Sequence, residues 1–278
     1  MARLTWDETG ERLYETGTKN GVLYVKEDGV GKNVWYEPGV PWNGLTAVSE
    51  SPSGAEESPL YADDIKYLSL RSNEEFGATV EAYTYPDKWA ACDGSAALAD
   101  GVYIGQQVRK GFSLSYVTVV GNDVQGNDFG EKIHIIYNAM ASPSEKSYAT
   151  INDSPEAITF SWELTTVPIA MPDIDGKSTK PSATLIIDST KLPAAKRDSI
   201  MASIKDLLYG TDAVYTRVTS TITGNPKTLG YYELDEGEYV ATEDTTATEN
   251  KDYYSKSGED SDPTLPHPQD IIDIIEAA

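Results

Sequence analysis

The sequence predicts a mainly β protein, a β-sandwich or partial barrel with one flanking α-helix. Three observations carry this. Hydrophobic residues alternate with period 2 in several central segments. One segment near residue 200 has a clear helical stripe. Tyrosine is abundant, 18 residues against 4 phenylalanines. Its apolar ring and hydrated tip suit strands that are solvated on one face.

Taken in order, residues 1–40 read as an irregular arm. It is punctuated by Gly10, Gly17, Gly21, Gly29, Gly31 and Gly39, with one short strand at 21–26. Residues 42–50, WNGLTAVSE, read as a strand. The SPSGAEESP cluster that follows reads as an exposed loop. Residues 62–70 return as a strand, so 42–70 form a long strand-loop-strand arm.

The alternation is clearest in three segments. In 76–84, Phe76, Ala78, Val80, Ala82 and Thr84 face one way and Gly77, Thr79, Glu81 and Tyr83 the other. In 112–118, Phe112, Leu114, Tyr116 and Thr118 oppose Ser113 and Ser115. In 157–165, Ile158, Phe160, Trp162 and Leu164 oppose Thr159, Ser161, Glu163 and Thr165. Residues 132–138 and 183–188 add two apolar strands. The pattern is that of antiparallel strands with one solvated face.

Two helices are predicted. A short one covers 86–92. A longer one covers 193–209, with Pro193 near its first turn, Gly210 at its stop, and Ile200, Ile204, Leu207 and Leu208 on one stripe. Composition then shifts. Residues 233–262 hold eleven acidic residues against Lys251 and Lys256, so they read as a solvated surface hairpin or small insertion. Residues 263–278 read as a Pro-rich linker into a short amphipathic segment, where Ile271, Ile272, Ile274 and Ile275 need cover. The expected division is a 1–40 arm, a 41–210 core, a 211–262 acidic insertion bracketed by tyrosines, and a 263–278 C-terminal arm.

Composition removes several function classes. The 278 residues carry a formal net charge of −23, which opposes equilibrium binding to nucleic acid or anionic lipid. The same charge suits a surface that DNA must pass without sticking. Cys92 is the one cysteine, so neither an intrachain disulfide nor a multi-cysteine zinc site is expected. The first fifteen residues lack an apolar signal region, and no segment is long and apolar enough to cross a membrane.

The search for chemistry is largely negative. Asp175-Gly176-Lys177-Ser178 resembles the end of a phosphate loop, but the preceding IAMPDI has no glycine. Gly29-x-Gly31 lacks a third glycine, because Val34 occupies that position. Residues 121–131, GNDVQGNDFGE, offer Asp123, Asp128 and Glu131 for calcium, or are a hairpin turn. His134 reads as a half-exposed strand residue and His267 as linker. Asn152-Asp153-Ser154 is a glycosylation sequon without meaning unless the chain is secreted. No nucleophile, base and orienting group can be assembled from two histidines and one cysteine. No enzyme activity and no cofactor are expected.

Four stretches carry a resemblance: MARLTWDETGERLYETGTKNGVLY, PWNGLTAVSESPSGAEESPLYADDIKYLSL, EEFGATVEAYTYPDKWAACDGS and SPEAITFSWELTTVP. In this order, over roughly 1–210, they resemble the major tail tube protein of long-tailed, non-contractile bacteriophages. DPTLPHPQDIIDII resembles that family's C-terminus, whereas 211–262 departs from it. The resemblance implies a structural virion protein assembled in the host bacterial cytoplasm. It implies hexameric rings, strands paired between subunits, and rings stacked into a hollow tube around a tape-measure protein. Tail terminator and distal tail proteins would sit at the ends, and DNA would pass through without specific binding. It supplies no catalytic residues.

The residues themselves suggest where such contacts would fall. Glu50, Ser51, Ser53, Glu56, Glu57, Tyr61, Asp63 and Asp64, together with the N-terminal arm, are the expected ring-to-ring contacts, because their loop is longer than a tight hairpin needs. Thr79, Glu81, Thr159, Ser161 and Glu163 are expected to face the lumen or, alternatively, the outside. Glu81 and Glu163 could repel DNA over the roughly 8 Å that physiological salt leaves unscreened. Two other classes stay open: a terminator or injection-machine ring of the same fold, and a carbohydrate-binding β-sandwich.

Overall fold

The computed structural model describes residues 4–27, 35–54, 56–151, 157–174, 176–219, 222–235, 237–248 and 251–278. The Gly29-x-Gly31 and Asn152-Asp153-Ser154 motifs, and Asp175, lie outside the described residues. The chain opens with β1 (Tyr14–Glu27), β2 (Trp35–Tyr36), β3 (Val40–Trp42) and β4 (Leu45–Glu50). An excursion follows, built of β5 (Ser53–Gly54), β6 (Glu57–Ala62), β7 (Ile65–Arg71) and β8 (Glu74–Glu75). The chain returns in β9 (Gly77–Ala82), α1 (Trp89–Asp93), β10 (Ala96–Ala99) and β11 (Val102–Ile104). Next come β12 (Phe112–Asn122), β13 (Gly126–Ala141), β14 (Phe160–Thr166), β15 (Thr184–Asp188) and α2 (Arg197–Tyr209). The last elements are β16 (Val214–Arg217), β17 (Tyr231–Asp235), β18 (Glu238–Ala241), β19 (Tyr254–Ser257) and α3 (Pro268–Ala277).

The protein is mainly β, as the alternation predicts. One antiparallel sheet dominates, in the order β2-β1-β12-β13-β14-β9-β4, with β3 also on β1 and β15 also on β13. Two features curl it. First, β13 serves two neighbours along one edge. Its residues Lys132–Ile136 pair with β15 and Ala139–Ala141 with β14. Between them Asn138 has φ +47°, a conformation that asparagine tolerates better than most residues. Second, β3 and β4 are one stretch broken at Asn43-Gly44, where Gly44 has φ +75°. β3 pairs with β1 and β4 with β9, so both ends of the sheet turn toward the same segment. Among the described residues no closed barrel forms.

Inside the curl lies an aromatic core. Trp89, carried in by α1, sits 4.6 Å from Trp42, 4.8 Å from Phe112 and 5.2 Å from Trp162 between ring centroids. The Trp42 indole N–H donates to the Thr84 carbonyl at 3.0 Å. On the sheet's other face Ile133, Ile135, Tyr137 and Ile187 pack under Ile200, Met201, Ile204 and Leu208 of α2 and Ile271 of α3. Each fully buried aliphatic side chain contributes roughly 1.5–3 kcal/mol.

Four local expectations need correction. Residues 14–27 are one strand rather than an irregular arm with a short strand. Gly17 (φ +70°) and Asn20 (φ +53°) lie in two register shifts against β12 and bulge the strand without ending it. The 112–118 strand has no solvated face: Ser113 and Ser115 are buried, because helices cover that side. Ser113 Oγ accepts from the Asn138 amide at 3.0 Å. The SPSGAEESP segment is not a plain loop, since it leads into β6. Finally, α2 begins at Arg197, and Pro193 opens a turn closed by Lys196 N–H to its carbonyl at 2.9 Å. Gly210 ends that helix, and a Cβ there would sit 2.4 Å from the Ser261 carbonyl oxygen.

Within 211–262 the chain forms a four-stranded sheet, β16-β19-β17-β18, rather than a simple hairpin. Tyr215 stacks on Tyr239 at 4.2 Å and 6°, with Tyr232 edge-on to Tyr215 and Tyr254 edge-on to Tyr239. Asp244 accepts from the Tyr253 hydroxyl at 2.5 Å and Lys251 Nζ at 2.9 Å. These bonds hold its carboxyl below the usual range. The tyrosines that make this segment unusual therefore pack on one another across its sheet, Tyr215, Tyr232 and Tyr254 half-buried and Tyr239 exposed.

Candidate functional site

The excursion between β4 and β9 is the most distinctive surface feature. Its root is set by the Ser51 amide, which donates to the Gly77 carbonyl at 2.8 Å. β5 pairs with β8 and β6 with β7. Asp63 and Asp64, at φ +50° and +63°, make the two-residue turn whose twist matches a hairpin. Glu57 accepts from Lys66 Nζ and Ser69 Oγ across the pair. Both bonds pull its carboxyl below the usual range.

Every residue of β6 and β7 is exposed. Tyr61, Ile65 and Tyr67 are 70%, 64% and 69% accessible, and Leu60, Leu68 and Leu70 are exposed too. A two-stranded hairpin is marginal alone in water, and contiguous exposed apolar side chains mark interaction surfaces. The arm therefore exposes a contiguous apolar surface.

Of the expected contact residues, Ser51 stands at the root and Ser53 lies in β5. Glu56, Glu57 and Tyr61 are exposed along the hairpin, and Asp63 and Asp64 form its tip. Glu50 differs, because its carboxylate turns back and accepts from the Tyr116 hydroxyl at 3.0 Å. Sequence reasoning missed Leu60, Ile65, Tyr67, Leu68 and Leu70. The apolar run IKYLSLR was the available signal for all of these except Leu60, which lies in β6, but it reads equally as a core strand.

The second expected surface is a sheet face. Ser161 pairs with Glu81 and Glu163 with Thr79 in the β14–β9 register, and Ser49 of β4 pairs with Thr79. These side chains share the face opposite Val80, Trp162 and Leu164, which are buried. Thr159 lies exposed just before β14. The structure thus groups Thr79, Glu81, Ser161 and Glu163 on one polar face with two carboxylates.

A third cluster was not foreseen. His134 is 9% exposed rather than half-exposed, stacked on Tyr116 at 4.7 Å and 4°. Its Nε2 lies 2.9 Å from Thr118 Oγ1, which donates to Glu15 Oε1 at 2.6 Å. Lys132 also pairs with Glu15. These partners hold the Glu15 carboxyl below its usual range against the opposing effect of its own burial. Burial pushes His134 below the ordinary imidazole value, opposed by the Glu15 and Glu50 carboxylates.

The 121–131 loop does not gather its oxygens for a cation. Asp123 Oδ1 accepts from the Gly10 amide at 2.9 Å, and Asn127 Oδ1 from the Tyr14 hydroxyl at 2.8 Å. Glu131 pairs with Lys205 and Lys19. The loop instead pins residues 10–14 to the sheet. The calcium reading is therefore replaced by a hairpin turn that anchors the N-terminal segment.

No family model matches the sequence, and no curated protein matches it. Among solved structures, the chain is similar to one in "Cryo-EM structure of the anti-feeding prophage (AFP) baseplate, 6-fold symmetrised". The identity is 9% and the TM-score 0.31, over 68% of this chain and 100% of that one. A likeness at this level carries no argument about function.

Proposed function

We propose that this chain is a structural, non-enzymatic subunit that polymerises into the tube of a non-contractile phage tail. The observation that carries the reading is the 51–75 arm. Its two long strands leave six large apolar side chains uncovered, and a second copy can cover them. A contact between an arm and a different patch on the next copy is heterologous, so it propagates along an axis rather than closing. The resemblance of 1–210 to tail tube proteins points the same way. So does the polar face bearing Glu81 and Glu163, which in a bore would repel phosphates.

In this reading six subunits form a ring and rings stack around a tape-measure protein. Terminator and distal tail proteins bound the tube, and DNA passes without specific binding. Purified protein concentrated to the millimolar range and imaged by negative stain tests it. Stacked rings with a central hole are the expected result. Single rings that never stack would favour a terminator, and a strict monomer would overturn the proposal.

A further inference from the structure

The cluster around His134 joins the fixed sheet to the root of the arm. Five elements meet there. β1 supplies Glu15, β4 supplies Glu50, and β12 supplies Tyr116 and Thr118. β13 supplies His134 and Lys132, and β15 places Asp188 across from Lys132 in register. The hydrogen bonds fix the tautomer. Because Thr118 Oγ1 donates to Glu15, it accepts from His134, so neutral His134 carries its proton on Nε2. Nδ1 is then a bare acceptor. It is buried without a hydrogen-bond partner, and Glu50 Oε1, which also accepts from the Tyr116 hydroxyl, lies 3.9 Å from it. A bare nitrogen lone pair 3.9 Å from a carboxylate oxygen gains nothing from it, whereas a proton on Nδ1 makes the two an ion pair.

We infer that His134 is a proton-operated latch: protonation at Nδ1 draws in Glu50 and tightens the root of the 51–75 arm. Glu50 is the last residue of β4, and the next amide, Ser51 N–H, closes the arm's root onto Gly77. Linkage makes the effect reciprocal. The factor by which the Glu50 carboxylate raises the proton affinity of His134 equals the factor by which the proton stabilises Glu50 in its seat. The proton is still unfavourable to the fold as a whole, because burial opposes the charge. The latch concerns where Glu50 sits once the ring is charged. The inference rests on the arm reading only for its consequence, that assembly responds to acidification.

The test uses the full-length, unassembled subunit. The titration of His134 is followed by NMR, and exchange protection of the Ser51 amide is measured from pH 8 to 5, divided by the intrinsic rate at each pH. Glu50→Gln should weaken proton binding at His134 about threefold or more. In the wild type, Ser51 protection should rise by a similar factor as His134 protonates. That rise should vanish in Glu50→Gln and in His134→Phe, which keeps a flat ring on Tyr116. Should His134→Phe fail to fold, Glu50→Gln decides alone. An unchanged His134 titration in Glu50→Gln, or a pH-independent Ser51 protection in the wild type, overturns the latch. Neither readout depends on tubes forming, so it can fail while the assembly proposal stands, and the reverse.

Discussion

The Tyr24 hydroxyl donates to the Leu208 carbonyl at 2.7 Å in a buried setting, tying the central strand β1 to the last turn of α2. The end of a helix leaves carbonyls without intrahelical donors, and here a sheet residue supplies one. Tyr24→Phe removes the donor and strands the carbonyl. The expected loss is about 1–3 kcal/mol, read from the urea midpoint, with no change in any polymer formed.

The aromatic core depends on α1 delivering one side chain. Trp89 is fully buried between Trp42, Phe112 and Trp162. Trp89→Ala should cost about 3–5 kcal/mol, because the surrounding rings cannot collapse into the space. Chemical denaturation checks this. A loss under 1 kcal/mol would show that α1 is not a required part of the core.

Cys92 lies beside Trp89 and is fully buried. Burial, reinforced by nearby Glu37, pushes its thiol up to about 12. Only the thiolate reacts with disulfide reagents, so labelling of the native protein at pH 8 should be about 10³-fold slower than in urea. Labelling within minutes in native buffer would mean the core opens readily.

The pH dependence of stability follows from His134. Its folded value lies below the unfolded one of about 6.5, so the unfolded state binds its proton first as pH falls. Stability should therefore decline from the unfolded value down to the folded value and then level off. His134→Phe should remove that portion of the slope. Urea midpoints at pH 7.5 and 5 measure it. An identical slope in the variant would remove His134 from the account of pH dependence.

How much of this was legible in the sequence varied by element. The strands at 77–82 and 160–166 announce themselves because one face is solvated, so burial follows the period of the side chains. The strand at 112–122 misleads for the converse reason. Its second face lies under α2 and α3, and Ser113 and Ser115 are buried small residues, not solvent markers. His134 looks ordinary in sequence. Its environment comes from Glu15 and Glu50, more than 80 residues away in the chain and brought close only by the curl. The acids of 50–64 were visible as an exposed stretch, but the apolar side chains that the arm leaves exposed were hidden in a run that also fits a core strand.

The central claim is that the arm covers itself against another copy. Replacing 55–73 with Asn-Gly keeps β5, β8 and Phe76 and deletes the exposed hairpin. The shortened subunit should melt within a few degrees of the full chain, since every β6 and β7 residue is exposed. Electron micrographs at matched concentration give the decisive reading. Long tubes from the full chain, and only rings or single subunits from the shortened one, are the predicted result. Tubes of equal length from both would contradict the account.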